Sequence, residues 1–184
     1  MKILILVTFL GYVISAPAMS QDKWVWGMDF QSFNSDLEIY REPINVRMNA
    51  ISFYSGYDYS LNDLWSVRPS LSVGFGVKND NGQTAGVFGD ILVTITGEIT
   101  STYTVSCALI YKLSHRSEIR LKPSLSKHKL VINTDGAGVI VEDDWEPGVG
   151  IGYGFQVNDK VGLTVSYDAT DISDILSAGF FINF

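Results

Sequence analysis

Apolar and polar residues alternate with a period of two through most of this chain, as they do in strands whose two faces meet different surroundings. In WEPGVGIGYGFQV, Trp145, Pro147, Val149, Ile151, Tyr153, Phe155 and Val157 share one face, while Glu146, Gly148, Gly150, Gly152, Gly154 and Gln156 share the other. SVRPSLSVGFGVK (66–78), YTVSCALIYKL (103–113) and VGLTVSYD (161–168) repeat the pattern. It predicts eight strands, at 23–33, 44–60, 65–78, 99–113, 117–132, 145–157, 161–169 and 175–184. In the second strand the apolar parity switches from Ile44, Val46 and Met48 to Ile51, Phe53, Tyr57 and Tyr59, which predicts a bulge or bend around Ala50. The fifth is the weakest, because Ser126 to Lys129 are polar on both faces.

The connections alternate in length. Turns around Asn62-Asp63, Ser114 to Arg116 and Asn158 to Lys160 are short, while links such as NDNGQTAGVFGD and NTDGAGVIVEDD are long. An even antiparallel sheet with its long links on one side is the pattern of an outer-membrane barrel, with short periplasmic turns and longer extracellular loops. The last strand fits it. Leu176, Ala178, Phe180, Ile182 and Phe184 fall on one face, and Ser177, Gly179, Phe181 and Asn183 on the other.

Composition narrows the setting. Lys2, the apolar run Ile3–Ile14 and Ala16-Pro17-Ala18 read as a signal peptide over 1–18, leaving a single domain at 19–184. No later stretch approaches the roughly 18 consecutive apolar residues of a membrane helix, although 46% of the chain is hydrophobic, so those residues must be spread over strands. With 20 acidic against 13 basic groups, nucleic acid is an improbable partner. The single cysteine, Cys107, cannot form an internal disulfide and reads as a small apolar filler rather than a reactive thiol.

Ser177-x-Gly179-x-x-Ile182-x-Phe184, the hairpin GVGIGYGFQVNDKVGLTVSYD and the closing TDISDILSAGFFINF together resemble the small OmpA/OmpX-type outer-membrane barrels. The likeness runs over essentially all of 19–184. It implies a monomer in the outer membrane, in contact with lipid and lipopolysaccharide, and a barrel-assembly machinery that reads the last strand through Ser177, Gly179, Ile182 and Phe184. Trp24, Trp26, Tyr57, Tyr59, Tyr111, Trp145, Tyr167 and Phe184 lie near strand ends, where aromatic girdles belong.

With the apolar face outward, Asp29, Asp58, Arg68, Lys78, Lys112, Glu118, Arg120, Lys122, Glu146 and Asp168 point inward, where they are expected to pair. The strand-six glycines should leave room for Arg120 and Lys122. A side-chain-filled interior with a structural or surface-interaction role is the leading reading, and a small-solute channel is its alternative. His115-Arg116-Ser117 with Glu118 loosely resembles the His-x-Ser element of lipid A 3-O-deacylases, but it sits on a short turn, away from their outer-leaflet substrate. His128 with Ser126 lacks a visible oxyanion donor. No catalytic, cofactor-binding or metal-ligating residue is therefore assigned, and a non-enzyme without cofactors is expected.

The outer links and tips carry Asp36, Glu38, Glu42, Asp80, Asp90, Glu98, Asp135, Glu142, Asp143, Asp144, Asp171 and Asp174 against Arg41. That sign disfavours heparin-like polymers and leaves Glu142-Asp143-Asp144 as a weak divalent-cation candidate. A lipocalin-like carrier would reverse the faces and expose the glycine-rich side to water.

Overall fold

A computed structural model describes residues 23–39, 42–77, 83–88, 91–134, 137–142, 145–171 and 173–184. The chain runs through β1 (Lys23–Ile39), β2 (Glu42–Ser60), β3 (Trp65–Val77), β4 (Gln83–Phe88), β5 (Ile91–Lys112), β6 (Ser117–Thr134), β7 (Ala137–Glu142), β8 (Glu146–Gln156), β9 (Val161–Thr170) and β10 (Ser173–Asn183). Eight of these close an antiparallel ring in the order β1-β2-β3-β5-β6-β8-β9-β10, with β10 returning to β1. This is the eight-stranded barrel that the alternation predicts. Closure pairs the backbone of every strand on both sides, which a sheet in hydrocarbon requires.

The period-two faces separate as expected. Trp26, Phe30, Phe53, Leu71, Phe75, Leu121, Val149, Ile151, Leu163, Val165 and Leu176 stand exposed on the outside, forming an apolar belt. Near the short-turn end Trp24 packs edge-on against Tyr57, with ring centroids 5.2 Å apart, and Trp65 lies 4.7 Å from Tyr111. Also on the outside, Tyr59 and Leu109 cover Val67 and Cys107. Cys107 is a free thiol, 2% exposed, which matches a small filler.

Two further strands lie within segments whose sequence reads as loops. β4 pairs with the distal part of β5, and β7 with the distal part of β6, while β5 and β6 pair with each other as far as Ile95 and Thr134. The four strands make a sheet reaching beyond the ring. Gly89-Asp90 and Asp135-Gly136, each set between runs that contain Val, Ile and Thr, carried the hairpin signal.

The expected irregularity at Ala50 is not there. β2 pairs with β1 in one unbroken register from Glu42 to Asp58, and the shift lies instead in β5, between Ile99 and Ser101. The parity switch in β2 has a different cause: Val46, Met48 and Ala50 are all buried inside the barrel, so at this level the interior itself is apolar. At the true bulge the Ile99 backbone comes so close to Gly76 that any Cβ there would collide with the Ile99 carbonyl. β6 also runs on through its doubly polar stretch, with Ser126 and His128 buried and Lys127 and Lys129 only half-buried.

The three turns at the other end share one device. Asn62 Oδ1 accepts from the Leu64 and Trp65 amides, Ser114 Oγ from those of Arg116 and Ser117, and Asn158 Oδ1 from those of Lys160 and Val161. Short side chains that mimic a backbone turn let each hairpin reverse at once. Amide–carbonyl bonds from Lys112 to Leu64, Gln156 to Arg116 and Asn183 to Lys160 then tie neighbouring hairpins together.

Candidate functional site

The interior is layered along the barrel axis. Nearest the short turns is a mouth of about 550 Å³ whose lining includes Lys23, Asp58, Ser66, Lys112, Arg116 and Glu118. Above it Arg68 grips Asp58 with two hydrogen bonds, Nε to Oδ1 at 2.6 Å and Nη2 to Oδ2 at 2.8 Å. Glu118 stands 3.7 Å from Arg68 and accepts from Arg120 Nε at 2.7 Å. The Phe181 ring packs against both guanidinium groups, its centroid 5.7 Å from Arg68 and 4.8 Å from Arg120. Gly162 leaves the space this ring fills.

A smaller cavity of about 80 Å³ follows, lined by Asp29, Gln31, Tyr54, Lys122 and Asp168 together with serine and threonine hydroxyls. Lys122 pairs with Asp168 at 2.9 Å, and Ser70 bonds Ser106 at 2.7 Å. The expected pairing of inward charges holds for Asp58, Arg68, Glu118, Arg120, Lys122 and Asp168. Asp29 lines the cavity, Lys112 lines the mouth, Glu146 stands opposite Ser126 on the ladder, and Lys78 lies outside the described residues. The glycines of β8 do make room as expected. A Cβ on Gly154 would press on Arg120 and Glu118, and one on Gly150 on Asp168, the partner of Lys122.

Towards the distal end the lining turns to hydrocarbon. Phe33, Val46, Met48, Ala50, Ile99, Leu130 and Ile175 are buried there, and His128 sits among them with its ring edge-on to Phe33 at 5.3 Å. Among the described residues neither imidazole nitrogen has a hydrogen-bond partner. Lys127 marks where β6 leaves the apolar belt, so His128 lies just beyond the spanning part, and burial pushes its pKa down to about 4.

Neither candidate catalytic set is assembled as chemistry requires. His115, Ser117 and Glu118 all line the mouth, but Glu118 is engaged by the arginines and Ser117 Oγ accepts from Tyr153 OH at 3.0 Å. Ser126 Oγ bonds Thr104 Oγ1 at 3.0 Å rather than His128. Among the described residues no group of three His, Cys, Asp or Glu side chains could hold a metal ion, and Asp143 and Asp144 of the candidate cation site lie outside them. Of the distal acids, Asp171 and Glu98 are exposed and Asp174 accepts from Tyr167 OH at 2.7 Å. The charge reading omitted Arg47, Lys127 and Lys129, which share that end of the barrel. It also missed Phe181, which the alternation places inward but which only the three-dimensional arrangement sets against two arginines.

Residues 6–183 match the family model described as the outer membrane protein beta-barrel domain. The fold is similar to that of Ail, the attachment invasion locus protein of Yersinia pestis, with a TM-score of 0.56 at 13% identity over 89% of this chain and 97% of that one. Neisserial surface protein A gives 0.51 at 16% identity, covering 90% and 98%. A de novo designed transmembrane β-barrel gives 0.50 at 11% identity over 91% and 100%, so the likeness at these identities is one of fold. No curated protein sequence matches the chain.

Proposed function

Because the chain belongs to the outer membrane protein beta-barrel family, we propose that it is an integral outer-membrane protein with a structural or surface-interaction role, a side-chain-filled interior and no catalysis. The observation that carries this is the interior itself: the Arg68–Phe181–Arg120 stack with its carboxylate partners occupies the lumen below, and hydrocarbon occupies it above. An eight-stranded barrel has room for side chains and little else.

The proposal includes export by a leader over 1–18, a monomeric state, and contact with outer-membrane lipid and lipopolysaccharide. It also includes recognition of β10 by the barrel-assembly machinery through Ser177, Gly179, Ile182 and Phe184. Planar-bilayer recording on refolded protein tests the filled lumen, and stable, large channels would sink it. Soluble, monomeric protein recovered without detergent would defeat the membrane reading. Replacing His115 and Ser117 by Ala should leave lipid A acylation unchanged in cells.

A further inference from the structure

The mouth at the short-turn end is a concave space of about 550 Å³ lined by three cations and three carboxylates, and two of those carboxylates are not free to balance the cations. Its carboxylates Asp58 and Glu118 are already committed to Arg68 and Arg120 in the layer behind it. Lys23, Lys112 and Arg116 also line it, and the side chains of Lys112 and Arg116 make no ion pair with any described residue. Asp63 on the rim turn offsets only part of that charge. Ser66 and Ser114 add hydroxyl groups around the same space of about 550 Å³. Cations on low-dielectric walls focus field lines into a concave opening, and ammonium, guanidinium and hydroxyl donors together suit the oxygens of phosphate or carboxylate.

We propose that this mouth is a binding site for a small multivalent oxyanion from the compartment the short turns face. The interior narrows behind it at the Arg68–Phe181–Arg120 stack, so the ligand is held in a blind cup rather than passed on. The site is independent of any role for the distal surface.

The test uses the full refolded barrel in lipid nanodiscs, where both mouths are open to solution, titrated calorimetrically with inorganic pyrophosphate and separately with citrate. Saturable binding that weakens with added salt is expected, and the stronger of the two responses identifies phosphate or carboxylate as the preferred group. The double variant Lys112→Gln/Arg116→Gln should weaken binding by roughly tenfold or more, as loss of charged donors does. Lys127→Gln, a cation at the opposite end, should leave binding unchanged. Heat-modifiable gel mobility confirms that each variant is folded. No heat with either anion, equal affinity in the double variant, or an equal loss in Lys127→Gln would each overturn the proposal.

Discussion

The two halves of the barrel interior solve the same problem with opposite chemistry. Near the short turns the space is filled by long charged side chains, Asp58, Arg68, Glu118 and Arg120, locked together around one phenylalanine ring. Near the distal end Phe33, Met48, Ile99 and Leu130 fill a similar cross-section with hydrocarbon. Charges withdrawn from water must each find a partner of fixed geometry, so the lower half specifies its residues one against another. Dispersion and hydrophobic burial are non-directional, so the upper half, apart from His128 and the buried Ser35–Ser173 hydroxyl pair, asks only for volume and shape. One tube therefore carries a rigidly specified floor and a permissive ceiling.

Paired substitutions of similar size expose that difference most sharply. Arg68→Met keeps the volume but leaves Asp58 buried without its partner, which should cost about 3–5 kcal/mol. Replacing Asp58 as well, in the Asp58→Leu/Arg68→Met variant, should restore most of the loss, because no lone charge then remains. Met48→Leu, the corresponding swap in the upper half, should cost less than about 1.5 kcal/mol. Urea unfolding midpoints in detergent give all three values. Similar losses for Arg68→Met and Met48→Leu would erase the contrast.

His128, among the hydrocarbon of the distal half, offers a second test. Unfolded, the His128 imidazole takes up a proton near pH 6.5, whereas folded it resists until about pH 4. The unfolded state thus binds more protons across that window, so stability is complete above pH 6.5 and falls as the pH drops towards 4. The full loss should be about 3 kcal/mol, and His128→Leu should abolish that component while the remaining titration is unchanged. Unfolding curves of the two proteins at pH 7 and pH 4.5 provide the comparison. A His128→Leu profile parallel to that of the parent would show that the ring is not buried in its neutral form.

The same contrast explains what the sequence could reveal. Where the interior is polar and the outside apolar, as in β8 and β9, the period of two is clean and strand bounds are legible to within a residue or two. Where the interior turns apolar the period fades: Val46, Met48 and Ala50 point inward just before Ile51 and Phe53 point outward, and the run imitates a bulge. The real bulge in β5 lies at Ile99 to Ser101, where threonine and serine blur the parity. Charge partners were less legible than charge positions. Arg68 and Asp58 are on neighbouring strands, but the stack through Phe181 brings together β3, β6 and β10. Only closure of the ring sets those strands around a common lumen.

The smallest expected effect in vitro concerns the inner end of β10. Phe184 is 73% exposed, and its amide bonds the Trp24 carbonyl at 2.9 Å, a contact the backbone makes whatever side chain is present. Phe184→Ala should therefore cost about 1 kcal/mol or less in refolded protein, below the roughly 1.5–3 kcal/mol of a fully buried phenylalanine. If the assembly machinery reads this position, the same substitution should sharply reduce the folded fraction in cells, since an unpaired strand that goes unread is liable to aggregate. Asn183 is no neutral control, because it is buried in the interior at 5% exposure. Phe180→Ala is the better one. It removes an outward ring from the same strand that is more covered, at 37% exposure, so it should cost more than Phe184→Ala in the test tube and yet less in cells. Heat-modifiable gel mobility measured in both settings decides the matter, and equal folded fractions for the two variants in cells would reduce Phe184 to an ordinary lipid contact.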